Sequence, residues 1–306
     1  MAYTLIGALR TLARRLPPSI LAPLKRAYIA LETSDRPEDL GVPQGSPLKA
    51  RSATDPRDPF SFVSDEALRY LDECFRGYHR NEMLQIRLVR QVLARERAKH
   101  LIQKGELKRV STGGDNIAFN TVDYNIEGAV SAADLDRPSM MFDVVKAIER
   151  VAKRIDKLDV LSIGPRSEIE IFGMMAAGFH PDRIKAVDLF SYSPYVDIGD
   201  MHALPYGADS FDILFLGWVL SYSRDQEAVA QELIRVGRDR AIIVLAGDYS
   251  DDKRERPTFK NETTHMQSCD QVLSLFGTHV GNVYFRHDPE LPDTTMVMSV
   301  FEIRKP

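Results

Sequence analysis

Cysteine is nearly absent from the 306 residues: Cys74 and Cys269 are the only two, too few for a disulfide scaffold or a four-ligand zinc site. No apolar run approaches the roughly 18 residues that a membrane-spanning helix needs. The first 30 residues lack the layout of a signal peptide, because Arg10, Arg14 and Arg15 interrupt the apolar stretch and no small-residue cleavage site follows. A reducing, cytoplasmic setting is expected. Tryptophan occurs once, at Trp218, and the formal net charge is only −4. With 44% hydrophobic and 27% charged residues, the chain has the composition of a soluble globular protein with a sizeable core.

The small net charge hides an asymmetry. Residues 1–110 carry 20 basic and 13 acidic side chains, whereas residues 111–306 carry 20 and 31. A basic first third suits an anionic partner, or equally a set of solvated helices. Within residues 1–32, Leu5, Leu9, Leu12 and Leu16 recur at helical spacing among arginines. That pattern fits a helix on an anionic membrane surface or one packed on its own domain. Residues 33–60 read as a linker or draped loop. From Ser64 a helical face runs through Leu68, Leu71, Cys74 and Tyr78, and a second through Leu84, Leu88, Val92 and Leu101, ending near Gly105. The expected division is a basic helical region over 1–138, acting as lid or acceptor-binding part, and a second domain over 139–306.

In that second part the pattern changes. After a helical stretch from Met141 to Ile155 come apolar runs at 160–164, 184–188, 211–216, 241–246, 282–285 and 296–303, with helical patterns between the earlier ones. Such runs predict a parallel sheet covered on both faces, with the last two strands antiparallel at one edge. Capping boxes are expected at Ser167/Glu170, Ser223/Gln226 and Thr264/Gln267, and left-handed stops at Gly178, Gly237 and Gly277.

Ligands of open α/β sheets bind beyond the carboxyl ends of the strands. Asp188, at the end of the second strand, is placed to accept from both hydroxyls of a ribose. Asp200, beside Met201 and Leu204, suits an adenine: an acceptor for its amino group and an apolar slot for its ring. Two acids favour a cationic nucleoside over a polyphosphate.

These residues carry a resemblance. Residues 159–249 resemble the core of class I S-adenosylmethionine-dependent methyltransferases of the type 11 kind. The matching motif is Gly199-Asp200-Met201-His202-Ala203-Leu204-Pro205-Tyr206 with Ser210-Phe211-Asp212, and Glu232-Leu233-Ile234-Arg235-Val236 matches the helix before the fifth strand. The resemblance implies a Rossmann-like, doubly wound α/β sheet. It also implies S-adenosyl-L-methionine as cofactor, with Gly164 in the cofactor loop, Asp188 on the ribose, Asp200 and Met201 at the adenine, and Gly217 after the fourth strand. Two departures stand out. Where the family loop reads acid-x-Gly-x-Gly-x-Gly, this chain has Ser162, Arg166 and Glu168 in place of the acid and the last two glycines. Arg166 is expected to fork onto the methionyl carboxylate and Glu168 to receive the ammonium; helix support is the alternative for Glu168. Only eleven residues separate Asp188 from Asp200, so the third strand is expected to be short, and Tyr192 and Tyr195 to reach the site.

Methyl transfer needs alignment and exclusion of water, and a hydroxyl acceptor benefits from a general base. Candidates are His202, Tyr222, Asp248 and His265, with Trp218 on the acceptor side. No Asn/Asp-Pro-Pro-aromatic run follows the fourth strand, which disfavours nucleobase amino methylation, and no acid directly follows it, which disfavours a magnesium site. The expected function is O-methylation of a small-molecule, glycan or lipid-linked acceptor. Nucleic acid is disfavoured as a partner, and residues 1–32 offer a peripheral contact with the inner membrane face. The alternative is a binding or scaffold protein that keeps the fold around a degenerate cofactor loop.

Overall fold

The computed structural model describes residues 55–75, 78–110, 122, 125–126, 128–129, 138–249, 266–289 and 296–306. Its centre is strand β1 (Val160–Ile163), whose four residues are all buried. A strand flanked on both sides within a covered sheet is largely apolar, and its one polar side chain, Ser162, donates to Glu170. Around it lie β2 (Ile184–Asp188), β3 (Val196–Ile198), β4 (Phe211–Gly217), β5 (Gly237–Asp248), β6 (Val280–His287) and β7 (Met296–Ile303). The sheet order is β3-β2-β1-β4-β5-β7-β6. The first five strands pair parallel; β7 runs antiparallel between β5 and β6. The carboxyl ends of β1 to β5 therefore share one edge, where Gly164, Asp188, Gly199, Trp218 and Asp248 stand.

Strand β5 begins four residues before the apolar run that announces it, because Gly237–Arg240 join the ladder with polar side chains: Arg238 reaches Asp212 at 2.7 Å and Asp159 at 2.9 Å. The caps also differ from expectation. Helix α4 (Glu168–Ala177) starts after Ser167, but Glu170 turns into the sheet and accepts from the Ser162 hydroxyl instead of closing a capping box. Helix α5 (Gln226–Val236) is capped by Asp225, which accepts from the Ala228 amide at 2.9 Å, and Ser223 serves elsewhere. Helix α6 (Cys269–Ser274) is capped by Ser268, not by Thr264, which lies outside the described residues. Gly178 is left-handed at φ 111° and Gly277 at φ 52°, whereas Gly237 is extended and opens β5.

Upstream, α1 (Asp65–Cys74) follows its Ser64 cap, and α2 (Arg87–Gln103) ends just before Gly105 at φ 82°. The buried face of α2 is Val89, Leu93, Arg97 and Leu101 with Arg90, Ala94 and Ala98; Leu88 and Val92 are only half-buried. Arginines on the inward face hide it from a reading of apolar spacing. Residues 189–195 alone connect β2 to β3, too few for a crossover helix. Helix α2 packs on α4, and its Leu93 and Ala94 share one buried cluster with Ile184, Ala186, Phe172 and Tyr195. It covers the flank that the missing helix leaves bare. Helix α3 (Ser139–Lys146) completes this layer beside α4, with α5 and α6 residues in a second cluster containing Leu161, Leu214 and Ile243. The expected N-terminal and C-terminal parts thus share a core. No described helix is long and apolar enough to cross a membrane. Residues 1–54, with the leucine-arginine pattern, lie outside the described residues, as do most of 111–137.

Candidate cofactor and active site

The turn after β1 is built on Gly164, whose φ of 67° is the left-handed conformation that favours glycine. A Cβ there would come within 2.6 Å of Val219 Cγ2, from the loop after β4. Gly164→Ala is therefore expected to cost about 1–3 kcal/mol from backbone strain and overlap, read as a lower midpoint in denaturant titration. Glu168 is fully buried, and Arg97 grips it with Nε at 2.6 Å and a terminal nitrogen at 3.0 Å, while Ser193 Oγ donates at 2.7 Å. The carboxylate is the inner half of a buried ion pair. Arg166 is half-buried, its guanidinium lying so close over Gly128 that a Cβ on that glycine would overlap it.

Asp188 closes β2. Its Oδ1 accepts from the Leu189 amide at 2.7 Å, and the residue as a whole is partly exposed. Burial nevertheless pushes its carboxyl up to about 7, against the pull of the Leu189 and Phe190 amides. A cavity of about 10 Å³ separates this residue and Phe190–Ser193 from Pro165–Glu168. That is room for one water at most. Tyr195 does not reach the site: it is buried edge-on against Phe172, ring centroids 6.2 Å apart, with its hydroxyl on the Arg57 carbonyl. Tyr192 is buried too, and lines the small cavity.

The turn after β3 holds the second acid. Asp200 Oδ1 accepts from the His202 amide at 2.9 Å and lies 2.5 Å from His202 Nδ1; Oδ2 accepts from Arg224 at 3.0 Å. Burial alone would raise its carboxyl, but these donors outweigh it and hold it below the usual range. The rest of the motif is clamped from α5. Glu232 accepts from the Leu204 amide at 2.7 Å, and Arg235 donates to the carbonyls of Leu204 and Tyr206 at 3.0 and 2.8 Å. The Tyr206 hydroxyl donates to Asp197 at 2.9 Å. So the Gly-Asp-x-x-x-Leu-Pro-aromatic turn and the Glu-x-x-Arg pair of the following helix form one unit. Met201 packs, partly exposed, on the second cluster.

His202, expected as a base, has both ring nitrogens engaged, the second one 2.8 Å from Ser223 Oγ. Tyr222 is half-buried in the turn Leu220–Tyr222. Gly217 is not left-handed; its Cα faces Met141, whose Cε would lie 2.9 Å from a Cβ. The left-handed residue is its neighbour Trp218, at φ 57°. A bulky residue in that conformation persists only where its surroundings hold it. Here the Trp218 amide donates to Ala246 O at 2.7 Å and Nε1 to Asp248 Oδ1 at 3.3 Å. Trp218 and Asp248 thus meet at the ends of β4 and β5. His265 lies outside the described residues. Among the described residues, no group of three His, Cys, Asp or Glu side chains is placed to hold a metal.

Residues 181–245, from the approach to β2 into β5, match the family model described as a methyltransferase domain. Solved structures with a similar trace include the 1,6-didemethyltoxoflavin-N1-methyltransferase of Burkholderia thailandensis, with bound 1,6-didemethyltoxoflavin and S-adenosylhomocysteine. It is 13% identical over 65% of this chain and 95% of that one, TM-score 0.48. A SAM-dependent methyltransferase from Aquifex aeolicus is 15% identical over 56% and 94%, TM-score 0.38. A chain in the complex of the Haloferax volcanii Trm112 methyltransferase activator with a putative methyltransferase is 13% identical over 64% and 100%, TM-score 0.43. No match was found among curated protein sequences. The sheet order, with its one antiparallel strand, is the α/β, Rossmann-like architecture of class I methyltransferases, and its central segment carries the methyltransferase-domain sequence.

Proposed function

We propose that the chain is an S-adenosylmethionine-dependent methyltransferase acting on a hydroxyl of a small-molecule, glycan or lipid-linked acceptor. The observation that carries this reading is the pair of carboxylates, Asp188 and Asp200, at the adjacent ends of β2 and β3 beside the left-handed Gly164 turn. The donor and acceptor set suits the nucleoside end of such a cofactor: Asp188 would accept from the ribose hydroxyls, Asp200 from the adenine amino group, and Met201 would lie against the ring. Arg166, in the turn after β1, is the cation that would face the methionyl carboxylate, and the family's glycines find no counterpart at Arg166 and Glu168. When bound, S-adenosylmethionine supplies an electrophilic methyl on a sulfonium. The chain's part is to align the acceptor, exclude water and accept a proton, for which Asp248, oriented by the Trp218 indole, stands at the right edge of the sheet. In the same reading, residues 1–138 cover the site and select the acceptor, and the basic stretch within 1–32 brings the protein to an anionic membrane face in the cytoplasm.

One observation favours a second reading, a binding protein with a degenerate loop: Glu168 is committed to Arg97, and only about 10 Å³ is open beside it. Calorimetric titration of the full chain with S-adenosylhomocysteine separates the two. Saturable heat at micromolar ligand is expected; none at high micromolar ligand favours the binding protein.

A further inference from the structure

His202 joins two loops. Its Nδ1 lies 2.5 Å from Asp200 Oδ1 and its Nε2 2.8 Å from Ser223 Oγ, in the turn after β4. A carboxylate takes a donor, so Nδ1 carries a proton, and in the neutral ring Nε2 accepts from the Ser223 hydroxyl. Ser223 Oγ is fixed in turn by the Asp225 amide at 3.0 Å. The set has the connectivity of a hydrolytic triad, yet Ser223 is 7% exposed and its oxygen already holds that amide, so it is no nucleophile. The imidazole is 9% exposed on its side chain, whereas the Arg224 side chain on the other carboxylate oxygen is 57% exposed. One partner of Asp200 is enclosed by the fold; the other stands largely in solvent.

We propose that His202 is a positioning residue for the nucleoside: anchored through Ser223, it holds Asp200 as a fixed acceptor that selects a 6-amino purine over a 6-oxo purine. The inference rests on the reading of the chain as a protein that binds S-adenosylmethionine. A purine amino group donates to the oriented carboxylate, while a 6-oxo group turns a lone pair towards it. Without the imidazole, Asp200 rotates and the discrimination fades.

The experiment is calorimetric titration of the full chain with S-adenosylhomocysteine and with its 6-oxo counterpart, S-inosylhomocysteine. The unaltered chain is expected to prefer the adenosyl ligand by about tenfold or more, the size of one hydrogen bond to a charged group. His202→Ala is expected to weaken the adenosyl ligand about tenfold and bring the preference close to one. His202→Asn, whose amide still reaches Asp200, retains part of the preference. In an Asp200→Asn background, His202→Ala is expected to add nothing, a coupling that a general packing defect would not produce. Should His202→Ala fail to fold, Ser223→Ala removes only the far anchor and is expected to narrow the preference. Undiminished preference in the folded His202 or Ser223 variants, or additive losses with Asp200→Asn, overturns the role of His202 and leaves the methyltransferase reading intact. Absence of binding to the unaltered chain overturns both.

Discussion

Replacing Arg97 with methionine is expected to lower the free energy of unfolding by about 3–5 kcal/mol, the loss that follows when one partner of a buried ion pair is left alone. Both side chains of the Arg97–Glu168 pair are fully buried. All of the guanidinium's donor capacity is used, since it also reaches the carbonyls of Asp58, Ser61 and Pro56 at 2.9, 2.9 and 2.8 Å. The variant leaves a buried carboxylate at the start of α4 without its cation and takes a donor from each of three carbonyls in the loop before α1. Glu168→Gln in the same background removes the stranded charge and is expected to recover part of the loss, but not the carbonyl contacts. Denaturant titration of the four proteins gives the coupling energy, and added salt is expected to change it little because the pair is shielded from solvent. A loss below about 1 kcal/mol for Arg97→Met would place the pair among surface ion pairs and contradict the burial. If instead Glu168→Gln left stability untouched and abolished affinity for S-adenosylhomocysteine, Glu168 would be the receiver of the cofactor's ammonium.

That ion pair also shows where reading the chain stops. Strands β1, β2, β4 and β7 are legible to within a residue because strands packed on both faces are mostly apolar, with few polar interruptions such as Ser162 and Lys185. The brevity of β3 follows from the spacing of Asp188 and Asp200, which leaves no room for a helix. The polar start of β5 does not announce itself, since Arg238 is drawn in by Asp159 and Asp212 and not by a core. Helix α4 misleads for a related reason. Buried nearly all round, it carries two inward glutamates, and the spacing of Ser167 and Glu170 imitates a cap. The partners that decide their roles stand far off or on another element: Arg97, 71 residues from Glu168, and Ser162 on β1. The positions of Gly164, Asp188 and Asp200 at the strand ends are legible because topology alone puts them there. The link from Asp200 through His202 to Ser223 is not, as a histidine two residues after an aspartate gives no sign of a hydroxyl in another loop.

Asp188→Asn is expected to raise stability above pH 7 while weakening the binding of S-adenosylhomocysteine by about tenfold to a hundredfold, the range for hydrogen bonds to a charged acceptor. The carboxyl sits at about 7 in the fold against an ordinary 3.8. Between those values the folded chain holds a proton that the unfolded chain has released, so stability falls as pH rises through the window, and the full penalty applies above about 7. Its ceiling is on the order of 4 kcal/mol, from the difference between the two values. Asparagine carries no charge, still accepts from the Leu189 amide, and escapes the penalty; below pH 4 the two proteins are expected to melt together. The ionised form is nevertheless the one that accepts from both ribose hydroxyls. Ligand affinity is therefore expected to rise as pH passes through about 7, with a proton released on binding near that pH. Calorimetry at pH 7 in two buffers of different ionisation enthalpy reads that proton directly, and Asp188→Asn is expected to remove it. A variant that is neither more stable at pH 8 nor silent in proton release would show that Asp188 is ionised and solvated in the fold. A burial cost accepted at one carboxylate and recovered on ligand binding is how a functional site differs from a well-packed core, and these measurements report both halves of it.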